Sequence, residues 1–348
     1  MNIQTPLDVS AGSLSLPQPY LLFLADTTEP GFAKTAFGLR DWAPEKCVGE
    51  YALSAGTVSA GLTVMTPAEA KAQGAGALLI GVANGGGIIS STWIPALIEA
   101  LEAGLDIVSG MHMRLHEIPE LAEAARRLGR RLIDVRDPPR GLKIATGKKR
   151  SGHRLLTVGT DCALGKKYTA LAIARAFAAR GVDADFRATG QTGIMIAGGG
   201  VPMDAVISDF EAGAAEMISP EAAPGHWDVI EGQGSLSHPS YAAVSLGLLH
   251  GSQPDVIVVC HEPGRSHVLG NPDYALPTIE ETIELNLLMG RRTNPNIRCA
   301  GVSFNTAHMD EASAVALMKS ESERLGLPVA DPVRGGELFD RLVDACLS

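Results

Sequence analysis

Cysteine is scarce in this 348-residue chain, and no two cysteines stand at close spacing: Cys47, Cys162, Cys260, Cys299 and Cys346 are scattered and odd in number. That argues against a disulfide framework and against a structural zinc site, which needs paired ligands such as Cys-x-x-Cys. Aromatic residues make up only 5% of the chain, and basic residues are outnumbered, 29 Lys and Arg against 39 Asp and Glu, for a net charge of −10. A chain with that balance lacks the electrostatic footprint of a nucleic-acid partner. Long apolar runs are missing as well. The longest, residues 76–90, is short and glycine-rich, and the segment 1–20 has no basic stretch leading into an apolar one. Neither a membrane span nor an export signal is expected, so a cytoplasmic location follows.

What the chain does have is 39 Gly, 21 Pro and 45% hydrophobic residues, the composition of a loop-rich globular α/β protein, in a length that suits two domains. Short apolar runs alternate with longer amphipathic segments, the pattern of βαβ units and parallel sheets. Strands are predicted at residues 20–25, 77–83, 106–109 and 131–135, with helices near 32–39, 94–103 and 119–128, which together make a small Rossmann-like sheet. Residues 136–154 crowd Pro, Gly and basic side chains with little apolar periodicity, and the domain boundary is placed there, giving domains 1–145 and 146–348. The second domain opens with a strand at 155–158, a glycine loop and a helix over 166–179. Leu171, Ala174, Phe177 and Ala178 share one face of that helix, and Gly181 closes it. Further strands are predicted at 184–188, 229–231, 255–260 and 300–304.

The loop after the 155–158 strand reads Gly159-Thr160-Asp161-Cys162-Ala163-Leu164-Gly165-Lys166-Lys167. A strand feeding a glycine-bounded loop feeding a helix points backbone N–H groups and the positive helix end at a phosphate, and Lys166 stands where its side chain can reach back over the anion. Five residues separate the glycines, so the loop is not a standard Walker A motif; it resembles the longer G-T-D-x-x-x-G-K-T loop of dethiobiotin-synthetase-like P-loop proteins. The departure is Lys167, which replaces the Ser or Thr hydroxyl that would bind Mg²⁺. A second ammonium there repels a metal and favours a metal-free grip on a pyrophosphate, with Thr169 as the nearest alternative hydroxyl. The expected fold class is therefore α/β, an N-terminal Rossmann-like domain followed by a P-loop NTPase-like domain with a mostly parallel sheet.

Other candidates lie at predicted strand ends, where open α/β sheets bind ligands. Glu231 is either a general base or a structural partner of Lys166 or Lys167. Gln191 and Asn305 are amides that bind a ligand or satisfy their loops. His261 has a pKa suited to accepting a proton near neutrality, and Arg265 suits a substrate carboxylate. In the N-terminal half, Asn84-Gly85-Gly86-Gly87 lacks a dinucleotide-binding spacing. His112, His116 and Glu117 resemble a metal cluster without a further ligand, so no metal is expected. The run Lys148-Lys149-Arg150 suits a solvated linker better than the alternative, steering a polyanionic cofactor towards the loop that follows.

The loop through Tyr168 and Thr169, the segments Gly190-Gln191-Thr192-Gly193, Ile230-Glu231-Gly232-Gln233-Gly234-Ser235 and Gly301-Val302-Ser303-Phe304-Asn305, with Asn84–Gly87 and Ser109-Gly110-Met111-His112 ahead of them, together resemble the DgcN-type D-glutamate N-acetyltransferase family across nearly the whole chain. The resemblance implies acetyl transfer from acetyl-CoA, as co-substrate, to the amino group of D-glutamate, in an expected homo-oligomer with a small-molecule amino-acid partner. On that implication Gly159, Thr160, Asp161, Gly165, Lys166, Lys167, Tyr168, Thr169 and Asn305 hold the cofactor, and Gln191, Gln233, Ser235 and Arg265 hold the substrate. Glu231, Asp161 and His261 are the candidate bases. Two alternatives stay open: an Mg-ATP-dependent ligase or kinase using Thr169, Asp161 and Glu231, and a non-catalytic nucleotide or CoA sensor.

Overall fold

The structure, a computed structural model, describes residues 14–348. The expectation that no export signal is present rests mainly on residues 1–13, outside the described residues. The chain divides into two compact units: the residues up to Pro139 together with Gln191–Pro202, and Arg140–Gly190 together with Met203–Ser348.

In the first unit, β1 (Tyr20–Ala25), β2 (Cys47–Ala52), β3 (Ala77–Ile80), β4 (Asp106–Ser109) and β5 (Leu132–Asp134) form one parallel sheet in the order β2-β1-β3-β4-β5. β1 and β3 are buried throughout, as continuous apolar runs in parallel sheets must be when both faces are covered, and β4 is buried as well although Asp106 and Ser109 are polar. The helices α1 (Lys34–Trp42), α2 (Pro67–Ala72), α3 (Ile94–Glu102) and α4 (Pro119–Leu128) follow the strands. Gly129 in the left-handed conformation stops α4. The sequence pattern missed β2, because Cys47-Val48-Gly49-Glu50-Tyr51-Ala52 mixes polar and apolar residues without clear alternation.

The second unit carries β6 (His153–Gly159), α5 (Lys166–Ala179), β7 (Ala184–Arg187), then the short helix α6 (Gln191–Ala197), which belongs to the first unit. It continues with α7 (Ser208–Ile218), β8 (Trp227–Ile230), α8 (Ala242–Ser252), β9 (Val256–His261), and the small antiparallel pair β10 (His267–Val268) and β11 (Asn271–Ala275). The chain ends with α9 (Ile279–Gly290), β12 (Arg298–Phe304), α10 (Glu311–Leu325), β13 (Val329–Ala330) and α11 (Gly336–Leu347). The main sheet is parallel, in the order β13-β12-β9-β6-β8-β7. From β6 the chain goes first to the β7–β8 side and then crosses to the β9–β12 side, so the C-terminal end of β6 is the switch point where ligands bind in open α/β sheets. α5 buries Leu171, Ala174 and Phe177 as its spacing predicts, but Ala178 is exposed and Ala170, Ala172 and Ile173 are buried instead, a broader buried surface than one stripe. Among the described residues no helix is long and apolar enough to cross a membrane.

Candidate active site

The loop between β6 and α5 is shaped by its glycines and its neighbour β9. Gly159 pairs with Cys260, and the Thr160 N–H donates to the Cys260 carbonyl at 3.1 Å, so the loop leaves the sheet beside the end of β9. Gly165 turns the chain into α5 at φ 98°, a left-handed conformation that a side chain would strain. Lys166 follows as the first helical residue. Its side chain is buried, and its Nζ donates to the Asp161 carbonyl at 2.7 Å, curling over the loop. Burial is the main cause of a lowered Lys166 pKa, only partly opposed by Cys260, Cys162 and Asp161.

Lys167 lies with its Nζ 4.4 Å from the centroid of the Tyr168 ring, a cation–π contact. Thr169, the alternative hydroxyl that the sequence offers for the missing metal ligand, is turned into the core. It donates to the Gly165 carbonyl at 3.1 Å, lies 2.8 Å from the Ser303 hydroxyl and accepts from the Cys260 thiol.

Asp161 is fully buried, and its carboxylate is engaged on both oxygens. Oδ1 accepts from the Cys162 N–H at 2.6 Å, and Oδ2 accepts from Arg265 Nη1 at 3.0 Å and from the Leu269 N–H at 2.8 Å. Asp161 thus ties the phosphate loop to the segment carrying β10. Arg265 also donates to the Cys162 carbonyl at 2.9 Å and pairs with Glu262, so its guanidinium is held by the protein itself.

His238 is a residue that sequence reasoning missed. It is buried beside the loop with its Nε2 3.8 Å from Asp161 Oδ1 and its ring against Tyr241. The donors of Asp161, Cys162 and His238 lie close enough together to share a metal ion. However, His238 Nδ1 accepts the Ser240 N–H at 3.0 Å, which in a neutral imidazole puts the proton on Nε2, where a metal would need a lone pair. A single histidine far along the chain from the loop gave no cue to this placement.

On the other side of β6, Glu231 is fully buried at the end of β8. Its Oε2 accepts from the Thr189 and Gly190 N–H groups at 3.0 and 3.1 Å, and its carbonyl accepts the Thr189 hydroxyl at 2.6 Å. Burial raises its pKa; Lys167, the two backbone N–H groups and then Lys166 pull it down. Gln233 donates to the Thr189 hydroxyl at 3.0 Å, and the buried Ser235 hydroxyl accepts the Ser237 N–H at 3.3 Å. Gln191 begins α6 in the first unit, where its side chain lies against Gly110.

At the end of β9, His261 Nδ1 lies 3.1 Å from the Thr160 hydroxyl, and His261 lines an open groove of about 580 Å³. Burial is the main cause of its lowered pKa. The Asn305 N–H donates to the His261 carbonyl at 2.9 Å, and its side-chain Oδ1 accepts the Ala307 N–H. The structure therefore gathers Thr160, Asp161, Lys166, Arg265, His238 and His261 around one loop, with Glu231 and Gln233 at the adjacent strand end. In the first unit, His116 pairs with Asp134 at 3.3 Å and shares a cluster with Asp134 and Asp137 rather than with His112 and Glu117. Arg114 stands 2.9 Å from Asp137, a cation already in place beside that cluster.

Residues 143–343 match the family described as Domain of unknown function (DUF1611_C) P-loop domain, and residues 45–138 match its partner, Domain of unknown function (DUF1611_N) Rossmann-like domain. A protein of Tritonibacter scottomollicae named D-glutamate N-acetyltransferase is 51% identical over 327 residues, covering 94% of this chain and 98% of that protein. A Pseudoalteromonas protein of the same name is 46% identical over 323 residues, covering 93% and 97%. The crystal structure of a DUF1611 family protein from Anabaena variabilis, 34% identical, superposes with a TM-score of 0.82 over 95% of this chain and 99% of that one.

Proposed function

The chain belongs to the DUF1611 family through both of its domains, and from that premise we infer that it is an N-acetyltransferase acting on the amino group of D-glutamate, with acetyl-CoA as the donor we propose. The observation that supports this donor is the loop itself. Gly165 and Lys166 keep the form of a phosphate cradle, Lys167 stands in place of the metal-binding hydroxyl, and Thr169 is spent in the core. Such a loop suits the pyrophosphate of CoA held by ammonium and backbone N–H groups without Mg²⁺. The reaction we propose is direct aminolysis. The substrate nitrogen attacks the thioester carbonyl, the C–N bond forms, the C–S bond breaks and CoA leaves as the thiol.

Of the candidate bases, His261 best suits proton removal from the attacking amine. It is accessible from an open groove, its lowered pKa keeps it neutral near pH 7, and the Thr160 hydroxyl orients its Nδ1. Asp161 is committed to holding the loop, and Glu231 to the Thr189–Gly190 turn. The cytoplasm, where acyl-CoA thioesters are found, is the location that fits this reading.

The test is release of free CoA thiol from acetyl-CoA, run over a panel of D- and L-amino acids. D-Glutamate is expected to be the best acceptor, and Lys166→Ala is expected to raise the KM for acetyl-CoA by roughly tenfold or more, the worth of one charge-assisted phosphate contact. An unchanged KM would remove the loop from the donor site, and consumption of Mg-ATP with release of ADP would favour the ligase reading instead.

A further inference from the structure

An open groove of about 580 Å³ lies beside His261, and its chemistry is not that of a phosphate or carboxylate site. His261 and Phe304 line it together with the apolar side chains of Ile279 from α9 and Leu317 from α10. Its rim carries Glu280, Glu321 and Arg324. Arg324 pairs with Glu321 at 2.7 Å and with Glu280, so its one positive charge meets two carboxylates and the rim is left with a net negative charge. An anionic group entering there is repelled. An uncharged chain with an apolar body and amide N–H donors is not, since its carbons lie on Ile279, Leu317 and Phe304 and its amides face carboxylate acceptors. The groove also adjoins the start of the loop, because His261 is hydrogen-bonded to Thr160, the second residue of the loop.

We propose that this groove receives the uncharged pantetheine arm of the acyl-CoA, leading the thioester from the loop-bound pyrophosphate to His261. The assignment rests on the reading that the loop holds the phosphates of acetyl-CoA. The negatively charged nucleotide end, with its 3′-phosphate, then lies outside the groove.

The experiment compares two probes, acetyl-CoA and its nucleotide half, 3′-phosphoadenosine 5′-diphosphate, on the wild-type enzyme and on Leu317→Trp, which fills the groove from a half-buried position. The expected result is a KM for acetyl-CoA raised roughly tenfold while the inhibition constant of the nucleotide half stays within about twofold. If Leu317→Trp does not fold, Glu321→Trp, one turn further along α10, replaces it. Unchanged constants for both probes would overturn the groove assignment and leave the loop reading standing. Equal weakening of both would overturn it by placing the nucleotide end in the groove. If the nucleotide half does not compete with acetyl-CoA on the wild-type enzyme, the loop reading itself fails and the groove assignment falls with it.

Discussion

Asp161 and His261 flank the same loop, and they are expected to fail in different ways when changed. Asp161 holds Arg265 and the Leu269 N–H on one buried oxygen. Asp161→Asn takes from the guanidinium the buried one of its two carboxylate partners, leaving only the more exposed Glu262, so a loss of about 2–3 kcal/mol in stability is expected, read as a lower urea midpoint. Activity per folded molecule is expected to keep its pH profile. His261 has a folded-state pKa below its ordinary value of 6.5. A base that must be neutral to act then gives a kcat/KM that falls with acid along a limb whose midpoint lies below 6.5. The same depressed pKa means that stability is full above the unfolded value and is lost as pH falls through it, because the unfolded chain binds the proton more readily. In His261→Gln the acid limb of kcat/KM should disappear along with most of the rate; an acid limb that survived unchanged would assign the proton acceptor elsewhere.

Strand β8 and the loop it feeds depend on a close approach that only glycine allows. A Cβ on Gly232 would lie 1.6 Å from the Thr157 carbonyl of β6 and 3.2 Å from Lys166 Cδ, while the Gly232 N–H donates to the Thr157 hydroxyl at 2.9 Å. Gly232→Ala must push β8 away from β6 or move the lysine. A loss of roughly 3 kcal/mol is expected by urea denaturation, together with a raised KM for the donor as Lys166 shifts. The Ile230-Glu231-Gly232-Gln233-Gly234-Ser235 stretch is plain in the sequence as a strand end with a glycine turn. The reason for this particular glycine was not legible there, because the clashing carbonyl belongs to a strand far away in the chain.

At the scale of the molecule, the first unit is not a continuous piece of sequence. The helix α6 lies beyond the first two strands of the second unit, yet Tyr20 donates to the Met195 carbonyl at 3.2 Å, Lys46 Nζ donates to the Ile196 carbonyl at 2.7 Å, and Ile194, Met195 and Ile196 are buried. Three such side chains are worth about 1.5–3 kcal/mol each, a sum comparable to the whole stability of a small domain. A fragment of residues 1–139 alone is therefore expected to lack a cooperative thermal transition by circular dichroism. The same fragment with residues 191–202 joined through a flexible linker is expected to regain one. A sharp transition in the shorter fragment would show that α6 is dispensable.

The sequence by itself determined the parts governed by near neighbours. These were the apolar runs of β1, β3, β4, β6 and β9, the glycine loop with Lys166 and Lys167 in order, and the acidic and amide residues at strand ends. Their physics is local, since periodicity, backbone freedom and charge are carried by adjacent residues. Tertiary structure alone decided what those residues face. It set Arg265 on Asp161, His238 beside the loop, Thr169 in the core, Glu231 on the Thr189–Gly190 turn and α6 in the other unit. Each of these depends on strand order and helix packing, which bring together groups that the chain itself holds far apart.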